Sequence, residues 1–526
     1  MNVLLVQPKL PYSFWSFDQV LKLSGRRALV SPLGLITVAA LLPQEWDLRL
    51  IDRSFQQIGE EMWNWAEIVM ISGMIVQSED LIRVTREAKR RGKTVVVGGP
   101  YPTLLPEEPK DAGADFVVKG EAEIAVPLLL DALTSGKKDA VIEGPSKPDM
   151  GISPIPRFDL LRLDAYVAIG VQTSRGCPHD CDFCNVTSMF GRAPRYKEAN
   201  QVIAELEKLH SLGGHGDVFI CDDNFIGSGK RARSILEKLI PWNKAHGEPF
   251  SFWTQASANL GQDLELIDLM TKANFNTVFV GIETPDKEVL ERAGKHQNVR
   301  NPLAESMHNI NANGLSIVGS FIIGLDGEKA GAGERIAAFV EETGIPVVML
   351  NTLQPLPGTR LWHRLKQENR LLDERGRGAP TGGELGFIPT RPETEIIGEY
   401  RNLTDRLYEP AAFLRRAYKS YLTMRPTRKA LGTETEADRS QGLLAQKMAN
   451  KETARHLKGL LLLVWSYGIA GSTRIQFWKQ LVGIWWLNPS RLFQYLVTIA
   501  NGQDLSRLRN HECREFASPS EESGTP

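Results

Sequence analysis

Histidine is missing from the first 150 residues of this 526-residue chain; the nine histidines begin at His179. A region without imidazole cannot hold a His-ligated metal. Cysteine is equally sparse, five in all with three inside one short stretch, so a disulfide framework is excluded. With 62 basic and 63 acidic residues the formal net charge is -1, and no local basic patch stands out, so no nucleic-acid partner is expected. No Gly-x-Gly-x-x-Gly follows the first apolar run, Val3 to Val6, which argues against a dinucleotide. The N-terminus has neither a basic segment nor a small-residue cleavage site, so a signal peptide is not expected and a cytoplasmic location is. The longest apolar run near the C-terminus, Gly459 to Ala470, is too short to span a membrane.

What the chain does have is Ser174 to Asn185, S-R-G-C-P-H-D-C-D-F-C-N, placing Cys177, Cys181 and Cys184 at a C-x3-C-x2-C spacing. Three thiolates on one loop can hold three irons of a 4Fe-4S cubane and leave the fourth open to a chelating substrate. The other reading is zinc, with His179 joining the cysteines, although zinc loops usually pair C-x2-C units with a second, distant pair. The spacing, with the aromatic Phe183 before the third cysteine, resembles the radical S-adenosylmethionine (SAM) superfamily. That resemblance implies a 4Fe-4S cluster on the three cysteines, SAM on the open iron with Phe183 beside it, and an electron donor such as flavodoxin or ferredoxin.

Residues 1 to 140 alternate buried-type strands, Val3–Val6, Leu48–Ile51, Ile68–Ser72, Thr94–Val97 and Phe116–Val118, with amphipathic segments. The pattern predicts an α/β, doubly wound, Rossmann-like parallel sheet, which binds ligands beyond the carboxyl ends of its strands. The residues there are Gln7-Pro8, Ser72-Gly73-Met74, Gly98-Gly99-Pro100 and Gly120-Glu121. Standing before the cysteine loop, this domain resembles the cobalamin-binding domain of cobalamin-dependent radical enzymes, which makes those ten residues the expected cobalamin contacts. The lower-ligand motif D-x-H-x-x-G of cobalamin mutases is absent, so no imidazole from this domain ligates cobalt. The other reading is a degenerate scaffold that binds nothing. Residues 141 to 160, proline-rich, form a linker.

From 161 to 385 strands recur at Val167–Gln172, Asp217–Cys221, Phe250–Gln255, Thr277–Ile282, Ser316–Ile323 and Pro346–Leu350. Six strands with intervening helices fit the partial (β/α)6 barrel of the radical SAM superfamily, whose functional groups gather at strand carboxyl ends. By that resemblance Asp222, Asp223 and Asn224 meet the amino group of SAM, Glu283 its ribose, Gly324, within Gly319 to Glu328, its adenine, and Gln354 the adenosine side. The alternative for Asp222 and Asp223 is capping of the following helix. Cys221 reads as an ordinary buried thiol.

Residues 386 to 515 read as a helical extension with one amphipathic helix over Glu393 to Met424, and 516 to 526 as a disordered tail. Between Arg455 and Gln503 there is no Asp or Glu, while Trp465, Trp478, Trp485 and Trp486 stand among five basic residues. Such a segment suits peripheral membrane contact, and equally a helical cap on the barrel. The whole order resembles the hopanoid C-2 methylase group, on Ser72-Gly73-Met74, Gly191-Arg192-Ala193-Pro194-Arg195 and Asp222-Asp223-Asn224-Phe225-Ile226-Gly227. The resemblance implies an enzyme that reductively cleaves SAM and methylates an unactivated carbon of a small apolar, lipid-like or natural-product substrate. Radical cyclisation or rearrangement with cobalamin as electron relay, and a non-catalytic cobalamin or metal sensor, remain the other readings.

Overall fold

The computed structural model describes residues 1–136, 140–373, 385–432 and 459–515, with side chains to residue 510. Its strands are β1 (Asn2–Gln7), β2 (Ala28–Val30), β3 (Asp47–Asp52), β4 (Ile68–Ser72), β5 (Thr94–Gly98), β6 (Phe116–Lys119), β7 (Ala140–Glu143), β8 (Tyr166–Val171), β9 (Ser174–Arg175), β10 (Arg195–Tyr196), β11 (Gly216–Ile220), β12 (Phe250–Ala256), β13 (Phe275–Glu283), β14 (Ser316–Ile323) and β15 (Val347–Thr352).

The first sheet is parallel, in the order β3-β1-β4-β5-β6-β7. Its central strands are buried on both faces: Leu4 and Val6 enter one apolar layer and Val3 and Leu5 the other. This is why they read as continuous apolar runs. The helix Ser78–Arg90 turns Leu81, Val84, Thr85 and Ala88 to the sheet, a helical spacing whose polar remainder faces water. Each fully buried leucine contributes about 1.5–3 kcal/mol. The strand order reverses between β1 and β4, which makes their carboxyl ends the ligand crevice of this sheet.

The second sheet is also parallel, in the order β15-β14-β13-β12-β11-β8-β2. The six strands expected for the partial barrel are all present, and a seventh is added at the edge. That strand, β2, comes from the N-terminal region and pairs Ala28 with Tyr166 and Val30 with Ala168. Three residues carry no readable period, so β2 escaped the sequence reading. The antiparallel ribbon of β9 and β10 brackets the cysteine loop.

The single helix expected over Glu393 to Met424 is two helices, Glu393–Leu407 and Pro410–Thr423. Pro410 has no N–H to continue the first, and Glu409 caps the second by accepting from Ala411 N at 3.0 Å and Ala412 N at 2.6 Å. Further helical segments run over 459–469, partly as the π-helix Val464–Ile469, then Arg474–Leu487 and Leu492–Glu515. Phe413, Tyr467, Phe477 and Tyr495 join the barrel's own core, so the inner face of this region is a helical cap. Arg455, Lys458 and residues 516 to 526 lie outside the described residues. Among the described residues no helix is long and apolar enough to cross a membrane.

Candidate functional site

The cysteine loop leaves β9 at Gly176, whose φ of 94° lies in the left-handed region. A Cβ there would stand 2.8 Å from Gly191 O, so only glycine fits. Asp182 N donates to Ala293 O at 3.0 Å and Leu361 N to Asp182 O at 2.9 Å, which pins the loop over the barrel mouth. Cys177, Cys181 and Cys184 are free and half-buried. Burial pushes all three thiols up, Cys184 to about 12. A bound cation reverses that, because thiolates and not thiols ligate metals. Among the described residues no three His, Cys, Asp or Glu side chains are gathered to hold one metal ion. Three sulfurs that each bind a separate iron stand further apart than ligands of a single ion.

Beneath the loop lies a cation that the sequence did not signal. Lys295 is buried, its Nζ pairs with Glu283, and it lies 5.9 Å from the centre of the Phe183 ring. Burial pulls its ammonium down, but the Glu283 carboxylate outweighs it and leaves it above its ordinary value. Glu283 itself sits at φ 66°, where the β13–β14 register shifts. A non-glycine residue there stores about 1–3 kcal/mol of strain, which the ion pair helps to hold. Gln297 Nε2 stands 3.7 Å from Cys181 Sγ.

The three residues after β11 divide their work. Asp222 is fully buried and accepts from Thr173 N at 2.6 Å, Ser174 N at 3.0 Å, Ser174 Oγ at 2.7 Å and Thr173 Oγ1. Both of its oxygens, expected to meet the SAM amino group, are engaged with the strand that leads into the cysteine loop. Asn224 is likewise spent on Ser257, donating to its Oγ at 3.1 Å and accepting from its N at 3.2 Å. Neither aspartate caps the next helix, Gly229–Ala245, because Ser228 does. Asp223 accepts from Gly176 N at 3.0 Å, and burial raises its carboxyl to about 6. Cys221 lies off the loop with its thiol on Phe219 O. Gly324, at φ 90°, donates its N–H to Glu328, whose burial lifts it to about 7. Gln354 donates to Thr352 Oγ1 at 3.0 Å.

In the first domain Gln77 joins the two strand ends at the crevice, donating to Pro8 O at 2.7 Å and accepting from Met74 N at 3.0 Å. Gln7 and Pro8 close one side and Ser72, Gly73 and Met74 the other, with Met74 and Val76 exposed there. Gly99, at φ 97°, lets the turn before Pro100 approach β4; a Cβ would lie 2.5 Å from Ser72 Oγ. At Gly98 the same atom would make only ordinary contacts with Val118 at 3.6 Å. Gly120 donates to Thr103 Oγ1 at 3.0 Å. Exposed apolar side chains, glycines and no imidazole suit a flat ligand whose lower face is left without a protein ligand. Glu121, expected among the cobalamin contacts, lies at the end of β6 with its carboxylate in ion pairs. Its carboxylate is taken by Arg175 at 2.8 Å and Arg195 at 2.7 Å, while Glu123 also grips Arg175 at 2.8 Å. This clamp ties the end of β6 to the residue before Gly176. The site of a Cβ on Gly358, after β15, lies 3.6 Å from Leu104 and 3.8 Å from Ser188. The carboxyl ends of the two sheets thus meet around the cysteine loop.

Inside the barrel, strand alternation turns Phe219, Trp253 and Phe279 away from their buried neighbours, into the lumen. Phe219 and Trp253 stack at 4.0 Å, and Trp15, from the N-terminal segment, lies against Phe279 at 5.7 Å. Trp15 was not singled out by the sequence, since nothing local shows that residues 13–17 enter a barrel formed far along the chain.

Residues 26–130 match the B12 binding domain, 171–340 the Radical SAM superfamily, and 359–517 a domain of unknown function, DUF4070. The chain is 44% identical to an uncharacterized methyltransferase of Synechocystis sp. over 97% of its own length and 92% of the relative's. It is 31% identical to the hopanoid C-2 methylase of Rhodopseudomonas palustris, over 91% of this chain and 88% of that one. The fold is shared with the cobalamin-dependent SAM radical enzyme OxsB, solved with aqua-cobalamin and SAM, at a TM-score of 0.60 and 16% identity, covering 99% and 82% of the two chains. It is shared as well with TsrM from Kitasatospora setae, a radical SAM methyltransferase solved with cobalamin and a 4Fe-4S cluster, at 0.53 and 17% over 76% and 84%. A B12-binding domain ahead of a radical SAM domain, in a chain aligned along most of a hopanoid methylase, shows that the protein belongs to the cobalamin-dependent radical SAM methyltransferases.

Proposed function

We propose that this enzyme methylates an unactivated carbon of an apolar substrate held in the barrel lumen, with a 4Fe-4S cluster on Cys177, Cys181 and Cys184, SAM above it and cobalamin at the β1–β4 crevice. The observation that carries the reading is the meeting of the two strand-end sites around one loop of three free thiols. The cofactors supply reductive cleavage of SAM and methyl transfer; the protein's share is to bind, orient and exclude water.

The residues divide that share. Arg175, clamped by Glu121 and Glu123, fixes where the cysteine loop stands relative to the crevice. Lys295 places a buried positive charge under thiolates that would otherwise repel one another, and Glu283 holds it there. Asp223 faces the loop as the acceptor best placed for the SAM ammonium, now that Asp222 and Asn224 are engaged elsewhere. The backbone at Gly324 and the turn from Gln354 border the adenosine side. Phe219, Trp253, Phe279 and Trp15 offer apolar faces and few polar partners, which suits a hydrocarbon-rich substrate. An acidic electron donor would approach over the loop's outer rim, where Arg192 and Arg360 flank Asp180. Residues 1–140 and 161–385 then act as one unit, with 386–515 as their cover.

The test is product analysis on the anaerobically reconstituted enzyme with SAM, a strong reductant and a bacterial lipid extract as the source of the apolar methyl acceptor. We expect 5'-deoxyadenosine and a methylated product, and loss of both in Cys177→Ala, Cys181→Ala or Cys184→Ala. An isomer without added methyl would favour radical rearrangement, and no turnover a sensor.

A further inference from the structure

The helical cap has an outer face that the barrel core does not explain. On the helix Arg474–Leu487 the inward positions are Phe477, Gln480 and Ile484. The outward stripe at helical spacing, Ile475, Val482, Trp485 and Trp486, is as apolar as a core, yet Ile475 is 67% exposed and Trp486 76%. On the preceding helical segment Leu461 and Trp465 are 62% and 60% exposed. The two stripes are continuous, because Trp478 Nε1 donates to Gly468 O at 2.9 Å and locks one segment against the other. A soluble monomer rarely leaves so contiguous an apolar surface bare.

Its charge selects the occupant. From Gly459 to Gln503 there is no acidic residue. Arg491 turns inward onto Arg425 O and Gln494, while Arg474 and Lys479 are exposed beside the tryptophans. Cations and indoles bordering an apolar stripe match the interface of an anionic bilayer, and a helix too short to cross one can lie in it. The same layer reaches the barrel mouth. Asp504 accepts from Gln19 N at 2.8 Å and Val20 N at 3.1 Å, holding the segment that seats Trp15 on Phe279. A Cβ on Gly459 would lie 2.8 Å from Leu23 O, so the first turn of the exposed segment rests on that same stretch.

We infer that the face carrying Leu461, Trp465, Ile475, Val482, Trp485 and Trp486 is a docking surface for an anionic bilayer, set beside the aromatic segment at the lumen. The inference rests on the apolar-substrate reading for its purpose, and its test does not depend on turnover. Full-length holoenzyme is floated with phosphatidylcholine vesicles, with and without phosphatidylglycerol. Partition to the anionic vesicles that weakens as salt rises is the expected result. Trp485→Ser with Trp486→Ser lowers it at least about tenfold on both vesicle types. Arg474→Glu and Lys479→Glu each lower it about fivefold or more, on anionic vesicles alone. Unchanged cluster absorbance shows that each variant is folded. Protein that stays unbound with both vesicle types, or a tryptophan variant that floats like the parent, overturns the inference. So does a tryptophan-dependent dimer in vesicle-free sedimentation, which would assign the face to a second copy. Flotation without methylation of any apolar compound would sink only the substrate reading, and methylation without flotation only the docking face.

Discussion

Replacing Arg175 with alanine should cost more than any exposed ion pair, because it strands the Glu123 carboxylate and takes from Glu121 one of its two arginines, Arg195 remaining. Glu121 and Glu123 are both nearly buried, and Arg175 bridges them at 2.8 Å each. Burial alone would raise Glu123, but the hydrogen bonds and charge of Arg175 hold it down from 4.5 to about 2. That depression corresponds to roughly 3 kcal/mol. Because the folded-state value is lowered, this stability is fully present above about pH 4.5 and is lost as pH falls from there towards 2. Arg175→Ala removes it at neutral pH and leaves buried charge uncompensated, for a total of about 3–5 kcal/mol. Glu123→Gln paired with Arg175→Met removes both charges and should recover most of the loss. The assay is unfolding of Arg175→Ala beside the parent, and of the closed cycle of parent, Arg175→Met, Glu123→Gln and the double variant, between pH 7 and pH 3, with cluster content read beside each at pH 7. A melting temperature for Arg175→Ala equal to that of the parent, or a coupling energy near zero, would refute the reasoning.

Other outcomes follow from the same contacts. Cob(II)alamin bound to the protein should lack a nitrogen triplet from a protein imidazole in its EPR spectrum, since the crevice domain has no histidine; a triplet altered by nitrogen-15 labelling of the protein would contradict this. Gly99→Ala places a Cβ 2.5 Å from Ser72 Oγ at a φ of 97° and should cost about 2 kcal/mol or more, whereas Gly98→Ala should be near neutral; thermal unfolding and a corrin absorbance titration would measure both. Lys295→Met leaves Glu283 buried without its partner and should lower both stability and cluster retention, the latter read by iron content per chain.

All strands of the two sheets but β2 and β7, both short and at sheet edges, were legible because buried parallel strands are written as unbroken apolar runs, and the cysteine loop because its ligands are local in sequence. What stayed hidden is what depends on distant partners. Glu121 looks like a ligand residue at a strand end until Arg175 and Arg195 are seen on its carboxylate. Asp222 and Asp223 are adjacent and identical in type, yet one is saturated by Thr173 and Ser174 and the other faces the loop. Lys295 follows Glu283 by twelve residues with no pattern to announce the pair. The tryptophan-rich C-terminal segment showed two possible roles in sequence, and the structure gives each a face: Tyr467, Phe477 and Ile484 lie on the barrel core, while Trp465, Trp478, Trp485 and Trp486 are exposed.

The placement of β2 bears on how the two halves work. The expected linker of residues 141–160 begins inside β7, which pairs with β6; the stretch after Glu143 would by itself let a crevice domain swing against a barrel, and any group passed between them would have to cross a variable gap. Here the chain enters the barrel sheet at Ala28–Val30 before completing the first sheet, Gly170 N donates to Ser31 Oγ at 3.0 Å, and Tyr166 reaches back to Asp52 at 3.2 Å. The first domain is therefore held by backbone ladder bonds on one side and by the Arg175 clamp on the other. Two attachments on separate edges resist rotation about either, which fixes the crevice over the cysteine loop. Chemistry that needs two cofactors to address one substrate carbon gains most from that rigidity, because a small misplacement between reacting groups costs rate steeply.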